Sequence, residues 1–423
     1  MNRRRPPRPN WFRIILLCLL VLGGSYMNRY ISTNDVKIGV PTPTVTRAPE
    51  AYITQAEEYF KEGKLIPAID AYHEAVIVRP DDPTIHVALA RALVFAGQYE
   101  EAKTSAGDAL LLDPDNSMAY AVRAWALNFL GEYLEAESSI RRSLELDPNN
   151  GLAHAYYVEI LLDYFQYGSG SFDNVGKATE ESKVAQALAP EALETHRARG
   201  YVLEVTGNYE EAIREYEAAV AINSNIPDLH LALGGNWTAL GDNVKAVEEY
   251  TRANALNPED PTPDLLISRL YATGGDFAKA MQYAETARDD NPADTSLRGN
   301  LGLMYYKNAY LAEAIEQLGY VVNGGDDEEQ GVHLDAIPLV PGNIRLAGYY
   351  STYGFALADT NRCGDALLVA QTLQARVPGD EIAMENAGVI ISRCEQILVK
   401  TPASLLTPTE PAPDSTETPT LTP

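Results

Sequence analysis

An alanine returns every 34 residues along most of this chain. Ala68, Ala102, Ala136, Ala178, Ala212, Ala246, Ala280, Ala314 and Ala366 stand in one column; six of its eight steps are 34 residues and the other two are 42 and 52. Its surroundings repeat too: GKLIPA (63–68), GQYEEA (97–102), GEYLEA (131–136), GNYEEA (207–212), GDNVKA (241–246) and GGDFAKA ending at Ala280. A fixed period of this size means stacked supersecondary units, each burying the face its neighbour leaves bare. The two long steps place insertions of 8 and 18 residues.

Each unit divides into two helices. In residues 193–226, His196, Gly200 and Leu203 recur at helical spacing, Gly207 breaks the chain, and Tyr209, Ala212, Ile213, Tyr216, Ala219 and Val220 then form a second stripe. The small Gly200 and Ala212 let the two helices approach, while tyrosines fill the space around them. Prolines close the units at Pro80, Pro114, Pro148, Pro190, Pro258, Pro292 and Pro378, where a missing N–H and a fixed φ stop the helix.

These residues resemble the tetratricopeptide repeat (TPR) family. HLALGGNW (230–237) and RGNLGLMY (298–305) keep its Leu-Gly pair and following aromatic, and AIDAY and AIREY keep its Ala-x-x-x-aromatic step. Nine units are counted: 49–82, 83–116, 117–150, 151–192, 193–226, 227–260, 261–294, 295 to about 346, and 347–380, with 381–400 as a capping helix. The turn glycine is replaced at Phe165, Ala309 and Asn361, and the proline at Ser224. The resemblance implies an all-α, right-handed α-solenoid whose first helices line a concave groove for a protein or peptide partner. Its groove positions here are Arg91, Phe95, Trp125, Phe129, Tyr156, Arg197, Tyr201 and Arg269, residue types that concentrate binding energy. The family's clamp for a peptide carboxylate is missing, since Ile53, Val87, Ala121, Ala155 and Leu231 stand where its first lysine would be.

The ends differ from the middle. Residues 1–13 are a basic arm, 14–31 hold the uncharged stretch IILLCLLVLGGSYMN between Arg13 and Arg29, and 32–48 and 401–423 are rich in Thr and Pro. A transmembrane signal anchor is expected at 14–31, with the arm cytoplasmic and everything after it exported. The alternative is secretion after cleavage near Gly23, Gly24 and Ser25. The Thr/Pro segments have too few apolar groups to fold and read as spacers. Eight of the 33 basic residues precede residue 49 against one acid, which leaves a body of 25 basic and 58 acidic groups that repels nucleic acid.

No catalytic motif and no separate catalytic domain are visible, so the chain is expected to be non-catalytic, without cofactor or metal. His86, His154, His196 and His230 share one place in their units and read as packing residues rather than ligands. The acidic run GGDDEEQG (324–331) reads as a solvated loop, with calcium as the alternative. Cys363, in the turn of the ninth unit, and Cys394, near the end of the cap, are expected to form a disulfide in an exported protein. The function these readings support is an extracytoplasmic membrane-tethered scaffold; the alternative is a groove that stacks secreted polysaccharide, or binds peptide, during export.

Overall fold

The computed structural model describes residues 48–400 and, before them, Leu22 alone. The basic arm, the membrane segment and nearly all of the first Thr/Pro stretch therefore lie outside the described residues, as does the tail 401–423. Among the described residues no helix is long and apolar enough to cross a membrane.

Helices come in consecutive pairs: α1 (Pro49–Lys61) with α2 (Leu65–Val78), α3 (Pro83–Phe95) with α4 (Tyr99–Leu112), α5 (Ser117–Phe129) with α6 (Tyr133–Leu146), α7 (Gly151–Tyr167) with α8 (Asp173–Leu188), and α9 (Leu193–Val205) with α10 (Tyr209–Ile222). The series continues with α11 (Pro227–Ala239) and α12 (Asn243–Leu256), α13 (Thr262–Thr273) and α14 (Phe277–Asp290), and α15 (Thr295–Lys307) and α16 (Leu311–Asn323). A hairpin of β1 (Gly325–Asp327) and β2 (Val332–Leu334) follows, then α17 (Ile344–Asp359), α18 (Cys363–Arg376) and α19 (Glu381–Lys400). Each pair packs on the next, and α19 lies against α17 and α18. The result is a helical solenoid of nineteen helices among the described residues.

Local chemistry sets where the helices begin and end. Asp82, Asn116, Asn150 and Asp294 cap α3, α5, α7 and α15 by accepting from first-turn amides. Between the helices of a pair the chain turns through a left-handed residue, Gly207 at φ 79° being typical, and Gln98 N–H returns to the Leu93 carbonyl at 2.9 Å to close the same turn after α3. Where glycine is replaced, Ala309 and Asn361 are nevertheless held at φ 63°. The fourth pair abandons this turn: α7 runs on to 17 residues and ends in a loop before α8.

All nine alanines of the periodic column are fully buried. They sit where the two helices of a pair meet, opposite close approaches such as Gly234, at which an added Cβ would lie 2.4 Å from Cε1 of Tyr250. A larger residue on either side would force the helices apart.

The acidic run, expected as a solvated loop, keeps residues 328–331 in an exposed turn, but residues 325–327 form one strand of a hairpin in which Gly325 pairs with Leu334 and Asp327 with Val332. Asp327 is buried, accepts from the amides of Glu329 and Gln330 at 3.1 Å, and ion-pairs at 2.8 Å with Arg298 on α15. Arg298 is itself fully buried. A guanidinium held inside needs a carboxylate beside it, and the insertion supplies one.

Two substitutions test this packing by urea or thermal unfolding. Ala309→Gly is expected to stabilise by about 0.5–1 kcal/mol, because glycine relieves the left-handed strain of alanine by more than its extra entropy costs. Gly234→Ala is expected to destabilise by about 1–3 kcal/mol through overpacking against Tyr250. Opposite signs would show that neither position is constrained as described.

Candidate functional site

The first five helix pairs curl far enough that their ends meet. Asn223 donates to the Phe60 carbonyl at 2.9 Å and Asn225 to the Glu62 carbonyl at 3.2 Å, across 163 residues of sequence. The Asn225 side chain sits where a Cβ on Gly63 would fall, 2.3 Å from its amide nitrogen. The concave side of these pairs is thereby an interior.

An aromatic ladder fills that interior. Phe60 meets Phe95 at 5.4 Å between ring centroids, Phe95 meets Trp125 edge-on at 5.0 Å, and Trp125 stacks on Tyr156 at 4.4 Å. Two arginines cover it: Arg91 lies over Phe60 and Phe95, and Arg197 over Trp125 and Phe129. Each cation then meets a buried carboxylate. Arg91 Nε is 2.6 Å from Glu194, which also accepts from the Tyr156 hydroxyl at 3.3 Å. Arg197 Nε is 3.2 Å from Glu159, whose other oxygen accepts from Trp125 Nε1 at 2.7 Å. Tyr201 and Asn128 both donate to Asp163 beside this network. Burial pushes the Glu159 carboxyl up to about 7 against the opposing pull of Arg197 and the Trp125 N–H.

The histidine column has a different task. His86, His154 and His230 each place Nε2 2.9–3.0 Å from the carbonyl six residues earlier, those of Pro80, Pro148 and Ser224, and so fasten each helix to the turn before it. On the other side Nδ1 of His154, His196 and His230 faces Glu181, Glu215 and Glu249 of the paired helix. Arg298 occupies the equivalent place, donating to the Pro292 carbonyl at 3.0 Å and to Gln317 at 2.9 Å. Among the described residues no group of three His, Cys, Asp or Glu side chains is placed to hold a metal ion.

What stays open is the mouth of the first turn, a cleft of about 620 Å³. Its walls include Phe95, Tyr99, Lys64, Asn225, Asp228 and Asp260. Tyr99 stacks on Phe129 at 4.5 Å, and Asp228 lies 3.7 Å from Arg197.

Family models of the tetratricopeptide repeat match residues 59–126, 119–150, 193–226 and 265–327. The chain contains tetratricopeptide repeats. Two solved structures titled as human IFIT1 dimers, one with PPP-AAAA and one with m7Gppp-AAAA, are each 15% identical to it. They cover 82% of this chain and 82% and 81% of theirs, at TM-scores of 0.51 and 0.52. A tetratricopeptide repeat protein from Parabacteroides merdae is 17% identical over 60% of this chain and 98% of its own, at a TM-score of 0.39. No curated protein matches the sequence. At these identities the likeness to the two IFIT1 dimers establishes the fold alone.

Placed on the tetratricopeptide array, the eight expected groove residues separate. Phe95 is 2% exposed, and Trp125 and Tyr156 are 0% exposed, so a partner cannot reach these rings; the tight curl of the array turns an expected lining into core. Phe129 is half-buried beneath Arg197, and Arg91, Arg197 and Tyr201 are half-buried and spend their polar groups on the interior network. Arg269 lies apart from them, beside Tyr349 of the ninth pair. Cys363 and Cys394, expected to pair, are free thiols in the structure. They lie within hydrogen-bond reach, and burial together with that contact pushes Cys394 up to about 12. Glu159, Glu194, Asp163, Asn223 and Asn225 were not expected at all. Glu159 carried a signal, because it follows Arg91 and Trp125 at successive steps of 34.

Arg91→Met leaves Glu194 buried without its cation and is expected to cost roughly 3 kcal/mol in urea unfolding. A pH series separates the second carboxylate. A carboxyl whose folded pKa is raised keeps its proton longer when folded, so its contribution is most favourable below the ordinary value of 4.5 and declines as pH rises toward about 7. Wild type is therefore expected to lose stability relative to Glu159→Gln across that interval; a flat difference would show that Glu159 titrates normally.

Proposed function

We propose that this chain is a membrane-tethered, outward-facing scaffold that holds a protein partner and performs no chemistry of its own. Tetratricopeptide arrays are interaction modules, and the matched repeats run through most of the folded length. The cleft at the mouth of the first turn carries the finer reading. Two carboxylates, Asp228 and Asp260, line this cleft with the half-buried Tyr99 ring, on a body with 58 acidic and 25 basic groups. Carboxylates in one cleft with an aromatic ring suit a lysine or arginine of an extended partner segment. The alternative of stacking a polysaccharide relied on open aromatic faces, and the largest of those rings are enclosed.

Tethering rests on the sequence. The basic arm, the apolar stretch between Arg13 and Arg29, and the Thr/Pro segment after it are ordered as an anchor and spacer would be. Outside the membrane the adjacent Cys363 and Cys394 would oxidise and lock α19 to α18.

A peptide array probed with the full-length chain is expected to select sequences rich in Lys and Arg. Asp260→Asn keeps the cap that accepts from the Thr262 amide while removing a charge, and is expected to weaken the selected peptides about tenfold. Selection without basic enrichment would overturn the assignment of the cleft. For the tether, membrane fractionation of native cells should recover the chain in the pellet, with Cys363 and Cys394 resisting alkylation until reduced.

A further inference from the structure

Interior arginines in this protein come with carboxylates. Arg91 has Glu194, Arg197 has Glu159 and Arg298 has Asp327. Arg269 on α13 is half-buried and, among the described residues, has no ion-pair partner. Its charged neighbour on the same cavity is another guanidinium, that of the exposed Arg345 in the first turn of α17, which has no carboxylate partner among the described residues. The nearby Asp294 caps α15 through the Ser296 amide at 2.7 Å and pairs with neither arginine.

The two arginines border one cavity of about 700 Å³, which Tyr349, Ser296, Asn343 and Ile337 also line. Tyr349 is a fixed wall: it is buried, and its ring fills the space over Gly299, where an added Cβ would lie 2.4 Å from Cδ2. Arg269 is close enough to Tyr349 to hydrogen-bond with it. Burial lowers the pKa of Arg269, and the Arg345 charge lowers it further against the opposing pull of Tyr349. Two like charges on one cavity in a body this acidic, with Asp294 engaged in its cap and no carboxylate paired to either among the described residues, leave room for one more group of opposite sign.

We propose that this cavity is an oxyanion-binding site, in which a carboxylate or phosphate group lies between Arg269 and Arg345 with the Tyr349 hydroxyl as a further donor. A planar guanidinium on each side offers paired N–H groups to the oxygens, and the rigid tyrosine fixes the direction of approach. The site lies on α13 and α17, shares no lining residue with the acidic cleft between the first and sixth pairs, and does not depend on it.

The test is calorimetric titration of the full-length chain, with inorganic phosphate in one arm and an end-capped peptide carrying two adjacent glutamates in the other. Saturable binding in either arm that weakens about tenfold or more in Arg345→Gln, and stays unchanged in Arg376→Gln at an exposed arginine outside the cavity, supports the site. Binding by phosphate alone assigns a free anion as the source, and binding by the peptide alone assigns an acidic polypeptide. Arg345→Glu is a second, independent variant at an exposed position: its new carboxylate is expected to take the anion's place, abolishing binding in both arms while raising Tm. Absence of saturable binding in both arms, or binding that survives Arg345→Gln and Arg345→Glu alike, overturns the proposal.

Discussion

Two carboxylates that cannot reach water govern the shape of the first half of the molecule. Glu159 and Glu194 are buried, and a buried carboxylate persists only when a cation and hydrogen-bond donors meet it. Arg197 lies one pair further along from Glu159, but Arg91 must come from 103 residues before Glu194. That demand is met only if the array curls until its second and fifth pairs face each other. The aromatic ladder is enclosed by the same curl, and the acidic cleft exists because the curl stops short of closing at one end.

Much of the architecture was legible because its causes are local and repeated. Buried alanines every 34 residues, glycines or their stand-ins at the turns and prolines between units dictate paired helices without reference to anything distant. Curvature has no such signature. It accumulates from a small rotation between neighbouring pairs, set by side-chain volumes at each interface. Trp125 and Tyr156 could thus be placed on first helices and on the inner side, while whether that side faces water or protein depended on the summed rotation.

The hairpin was hidden for another reason. Its strands are three residues long, one of them mostly acid, with too little alternation to read. Its partner was more visible: Arg298 stands in the column held elsewhere by His86, His154, His196 and His230, where a larger, permanently charged and fully buried group calls for a counter-charge. The same reasoning, applied to the half-buried Arg269, finds the demand unanswered within the described chain.

The contacts of Asn223 and Asn225 with the turn after α1 change what kind of object this is mechanically. In an open solenoid each unit touches only its neighbours, so an end unit can peel away at the cost of a single interface. Here the first unit is latched to the fifth as well as to the second, and a pull on it loads both attachments together. Such an array resists extension like a clasped bracelet rather than a coil spring, yielding little until the latch opens.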